Sequence, residues 1–100
     1  MIEDMNRGMF AEQLNTFFHA VLEPDQHRVS LELIEVGEPR PNPRVDNYSL
    51  LFRGPKEFCL VQSMYPLDHE SLGSFDLFLV PVGDRPDGFR YEAIINRLVV

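Results

Sequence analysis

Apolar and polar positions alternate along much of this chain with the two-residue period of half-buried strands. From His27 to Val36, Val29, Leu31 and Leu33 fall on one face and Arg28, Ser30 and Glu32 on the other; the phase then slips at Ile34 and Val36. Such a slip predicts a bulge near Leu33-Ile34. Tyr48 to Arg53 alternates again, with Tyr48, Leu50 and Phe52 opposite Ser49, Leu51 and Arg53, and Gly54-Pro55 closes it. Thr16 to Leu22 is β-prone and ends at Pro24-Asp25, and a shorter extended stretch runs from Val61 to Leu67.

The strongest local signal lies at residues 75 to 96, where two apolar runs flank Gly83-Asp84-Arg85-Pro86-Asp87-Gly88. Proline fixes φ and glycine admits positive φ, so the chain reverses there in a β-hairpin. Phe78 and Val80 alternate with Leu77 and Leu79, so both faces of its first strand are apolar, the pattern of a strand covered on both sides. Asp76 interrupts that pattern beside Gly73 and Ser74, and is read as a solvent-facing residue at a strand end.

Met5, Met9, Phe10, Gln13 and Leu14 share one side of a short N-terminal helix, with Asn15 as its left-handed stop. Gly37-Glu38-Pro39-Arg40-Pro41-Asn42-Pro43 carries three prolines and is expected to be a stiff surface loop. The elements sum to a mainly β domain of about six antiparallel strands in a small sandwich or partly closed barrel, with a short N-terminal helix. It reads as one domain over residues 1–100 with its core at about 9–97; no repeat or linker divides it.

Composition narrows the classes of function. At 44% apolar residues with eight Phe, the 100-residue chain can fold around one core. A net charge of −7 argues against nucleic acid as a partner, because phosphate neutralisation needs clustered cations. The single cysteine rules out an internal disulfide, the start of the chain is acidic where a secretory signal would be basic, and no run is long enough for a membrane span. A cytoplasmic protein away from membranes is expected. The charge is uneven: residues 1 to 38 hold eight acids against Arg7 and Arg28, whereas Arg40, Arg44, Arg53 and Lys56 face Asp46 alone between residues 40 and 56.

Few residues offer chemistry. Cys59, with Asp68 and His69 further on, has the types of a nucleophile, an acid and a base, but Phe58 and Leu60 give it the setting of a small buried hydrophobe. His19, His27 and His69 lack the close spacing that puts two metal ligands on one element face. No catalytic, cofactor or metal residue is assigned, and a Cys- or metal-dependent hydrolase stands last among the readings.

The ordered blocks Ser49-Leu50-Leu51-Phe52-Arg53-Gly54-Pro55, Gln62-Ser63-Met64-Tyr65, His69 with Leu72-Gly73, Leu77-Phe78-Leu79-Val80-Pro81-Val82-Gly83 and Tyr91-Glu92-Ala93-Ile94-Ile95-Asn96 resemble a family of short bacterial domains of unknown function, over about residues 9 to 97. That resemblance implies an accessory or assembly role beside phage-tail-collar-like proteins, and it carries no catalytic residue over. The expectation is therefore a non-enzymatic protein-binding or assembly module. Its candidate contacts are Arg40, Arg44, Tyr48, Arg53 and Tyr65, with the two tyrosines exposed, because Arg and Tyr anchor interfaces well. The alternative is a small-ligand carrier with a pocket of about 300 Å³ or more inside the barrel.

Overall fold

In the computed structural model, which describes residues 5–39 and 45–98, six strands follow one short helix. The elements are α1 (Arg7–Ala11), β1 (Phe17–Leu22), β2 (His27–Val36), β3 (Val45–Gly54), β4 (Ser63–His69), β5 (Gly73–Arg85) and β6 (Gly88–Leu98). All neighbours are antiparallel, and the order β1-β2-β3-β6-β5-β4 closes into a barrel. The barrel, not the sandwich, is the architecture.

Alternation decides what fills it. Phe18 and Ala20 point inward from β1, Val29, Leu31 and Leu33 from β2, Tyr48, Leu50 and Phe52 from β3, Tyr65, Leu67 and His69 from β4, Phe75, Leu77 and Leu79 from β5, and Tyr91, Ala93 and Ile95 from β6. Met5 and Phe10 close one end, and Leu60, from the loop between β3 and β4, closes the other. A six-stranded barrel is narrow enough for such side chains to pack it solid. Phe18 stands edge-on to Phe52 at 5.4 Å and to Phe75 at 6.1 Å, and Phe10 lies 5.9 Å from Phe75 and 6.2 Å from Tyr48. These are favoured aromatic geometries.

The helix is held by its cap and by one arginine. Asn6 accepts from the Met9 amide at 3.0 Å, and Arg7 donates to the carbonyls of Gly37 and Val36 at 2.8 and 3.2 Å, tying α1 to the end of β2. Asn15 takes φ 68°, the left-handed stop expected of it, although the helix itself ends at Ala11 and turns cover the interval.

The ladders differ in length. β3 and β6 share ten register pairs, whereas β1 meets β4 only at His19↔Asp68 and Ala20↔Leu67. The predicted slip in β2 is a bulge between Leu33 and Glu35, and a second bulge lies between Pro81 and Gly83 of β5. The hairpin turns on Pro86-Asp87 alone, with Arg85 opposite Gly88, so Gly83 belongs to the strand rather than to the turn. Gly88 has φ 133°, and a Cβ there would drive into the carbonyl oxygen of Gly54.

One expectation for the hairpin is overturned. Phe78, Val82 and Ile94 are 44%, 51% and 54% exposed, so the hairpin is covered on its inner face only. The apolar outer residues follow the same alternation as the inner ones but meet no second layer. Asp76 is exposed, as a strand-end carboxylate should be.

Candidate functional site

The residues that chemistry would need are spread over the barrel. His19 faces outward on β1 with its Nδ1 3.1 Å from Ser30 Oγ, His27 is exposed at the start of β2, and His69 is buried where β4 ends. Cys59 sits in the β3–β4 loop, at the opposite end of the barrel from the turn after His69. It is exposed, correcting the expectation of a buried hydrophobe. Among the described residues no group of three or more His, Cys, Asp or Glu is placed to hold a metal ion.

His69 has the partners of a structural histidine. Its Nδ1 accepts the amide protons of Ser71 and Leu72 at 3.0 and 3.2 Å, which fixes the neutral ring with its proton on Nε2. That proton goes to Thr16 Oγ1 at 2.8 Å, and the Thr16 hydroxyl in turn donates to the Gln13 carbonyl at 2.6 Å. A general base would need a free lone pair facing the hydroxyl. The relay runs the other way, so Thr16 is not an activated nucleophile.

The predicted contact residues are placed differently from one another. Arg40 and Arg44 lie outside the described residues. Tyr48 is 2% exposed and Tyr65 is 9% exposed, because even-numbered β3 and odd-numbered β4 positions face the core; the expectation that these tyrosines are exposed is corrected. Tyr65 donates its hydroxyl to the Val61 carbonyl at 2.6 Å, and burial raises its pKa above the usual 10.0, with Cys59 adding to the effect. Arg53 reaches outward, but it is paired with Glu32 across the β2–β3 ladder and with Asp87 of the hairpin turn at 3.3 Å. Arg90 holds the same Asp87 at 2.9 Å. Partial desolvation works upward on Asp87, yet the two arginines outweigh it and hold its pKa below the usual 3.8.

A different group of side chains is exposed without polar function. Where the β1–β4 ladder stops, the two strands splay and leave a surface groove of about 490 Å³. Val21 and Leu22 line one wall, and Phe58, Val61, Met64 and Pro66 line the other. Phe58, Val61 and Met64 are 41%, 73% and 57% exposed, and Phe78 is the register partner of Met64 on β5. The groove beside Phe17, His19, Ser30, His69 and Glu70 is larger, about 660 Å³, and also open to solvent. The barrel interior is lined by buried side chains such as Phe18, Phe52 and Tyr91, and both of these grooves lie on the surface.

The Val61–Leu67 stretch is short, and its outward apolar row becomes visible only when one of its faces is placed. The signal was present: once Tyr65 and Leu67 face inward, Met64 and Pro66 must face out.

A family model described as a domain of unknown function (DUF6916) matches residues 5–95. The chain belongs to this family. No curated protein and no solved structure gives a match. The matched span takes in α1, all six strands up to Ile95 on β6, and both walls of the apolar groove. Among the described residues no helix is long and apolar enough to cross a membrane.

Proposed function

We propose that this domain is a non-enzymatic protein-binding or assembly module that engages its partner through the apolar groove between β1 and β4. The observation that carries the reading is the contiguous run of Phe58, Val61 and Met64 along one wall of that groove, continued by Phe78 beside Met64. Large apolar side chains grouped at a concave, partly exposed surface are what interfaces bury first. Single exposed hydrophobes would carry no such weight. The packed interior and the neutral, fully bonded His69 support binding over catalysis or carriage. The bacterial, phage-tail-collar-like setting implied by the sequence resemblance would supply a structural protein as the partner.

The test begins with what co-purifies with the full chain from its native host. Affinity for the identified protein is then measured with Met64→Ser/Phe78→Ser and with Arg53→Ala, whose side chain lies on β3 away from the groove. The first pair should weaken binding by about tenfold or more with the fold intact, and Arg53→Ala should change it little. Unchanged affinity in the first pair would overturn this surface, and a co-purifying small molecule in place of a protein would overturn the function.

A further inference from the structure

The end of the barrel covered by α1 turns on one imidazole. His69 is 7% exposed, its ring lies 4.2 Å from that of Phe18, and all its hydrogen-bonding capacity is used. Nδ1 holds the Ser71 and Leu72 amides, and Nε2–H holds Thr16, which holds Gln13. The ring thereby joins the β4–β5 turn to the turn between α1 and β1. We propose that His69 is an acid-operated latch: a proton on Nδ1 removes the acceptor that fixes the β4–β5 turn, and this end of the barrel loosens while the β3–β6 half stays folded.

An imidazolium has two N–H donors and nothing to accept with. A proton on Nδ1 would point at two backbone N–H groups that already point at it, so both hydrogen bonds are lost together. The ring or the turn must then move. Gln13 and Thr16 from the connecting turn are uncharged, β1 brings Phe18 and His19, β2 brings Ser30 into the adjoining groove, the β4–β5 turn brings Glu70, and β5 begins with Gly73 opposite His69. Burial is the main influence and lowers the His69 pKa from the usual 6.5; Glu70 works upward and His19 downward.

A histidine whose pKa is lowered on folding contributes stability that is complete above its unfolded value, about 6.5, and is lost as the pH falls below it. The latch is therefore closed at neutral pH and opens in mild acid. Opening stays local because the strand that ends at His69 meets β1 over two register pairs, against ten between β3 and β6.

Amide hydrogen exchange of the full chain, followed from about pH 7.5 to about pH 5 and corrected for intrinsic rates, tests the latch beside an NMR titration of the His69 ring. Ser71 and Leu72 should lose protection by about tenfold or more as the ring protonates, whereas the Leu60 amide at the other end keeps its own. His69→Asn supplies a side-chain oxygen for the same turn amides and no proton to gain, so it should flatten the step. His19→Gln should preserve it. Protection at Ser71 and Leu72 that ignores pH overturns the proposal, as does a step that survives His69→Asn or vanishes with His19→Gln.

Discussion

The backbone N–H of Leu60 donates to the phenolic oxygen of Tyr91 over 2.8 Å, inside the barrel end opposite α1. Leu60 is 4% exposed, so this amide has left water to follow its side chain into the core. The bond is what allows an irregular loop to plug the barrel, since a buried amide without an acceptor is costly. Burial, the chief cause, pushes the Tyr91 pKa up to about 12, so the acceptor stays neutral across the working pH range.

Tyr91→Phe keeps the ring and removes the acceptor. We expect a loss of about 1–3 kcal/mol in urea unfolding, with faster exchange at the Leu60 amide. A stability within about 0.5 kcal/mol of the parent would show that the plug does not depend on this bond.

Two glycines with positive φ separate backbone strain from steric fit. Gly73, φ 83°, has open space where a Cβ would stand, so Gly73→Ala should cost about 1 kcal/mol. Gly88, φ 133°, lies against the Gly54 carbonyl, and Gly88→Ala should cost about 3 kcal/mol or more. Urea midpoints for the two variants check the order; equal losses would refute the packing argument.

Phe10 is the helix's contribution to the core, wholly buried against Phe18, Tyr48 and Phe75. Phe10→Ala should lower stability by about 3–5 kcal/mol, measured by denaturant titration. A loss below about 1 kcal/mol would mean that α1 merely rests on the barrel.

Acid should also weaken the outer surface, in a lower window than the one that opens the latch. The pKa of Asp68 is lowered by the hydrogen bond from Ser74 and then by Arg28, and that of Asp87 by Arg90 and Arg53 against desolvation. A carboxyl with a lowered folded pKa stabilises the fold above its unfolded value, about 3.9, and that contribution disappears as pH falls through the folded value. Asp68→Asn/Asp87→Asn should therefore unfold with a smaller change in urea midpoint between pH 6 and pH 3 than the parent. An identical pH dependence would exclude these two groups as its source.

The strands were legible because inward positions keep to a strict alternation, most plainly at Tyr48, Leu50 and Phe52. The bulge in β2 and the left-handed Asn15 were legible from local chemistry. Coverage of the hairpin was not, because alternation assigns Phe78 and Ile94 to a face without saying whether anything packs there. Tyr65 faces inward for a related reason: β4 starts only at Ser63, after Val61, and its faces are set by pairing with β5, which the apolar stretch alone does not specify. The groove arises from two strands parting, which is a property of tertiary pairing that neither strand encodes alone.

The short β1–β4 ladder also bears on how this chain avoids itself. Beyond Ala20↔Leu67 the next residue on β4 is Pro66, which has no N–H to offer a passing strand. The parted edge beside the apolar groove is thereby blunted against strand-to-strand aggregation. The groove can present Phe58, Val61 and Met64 to a partner's side chains while the backbone beside them is a poor template for another sheet.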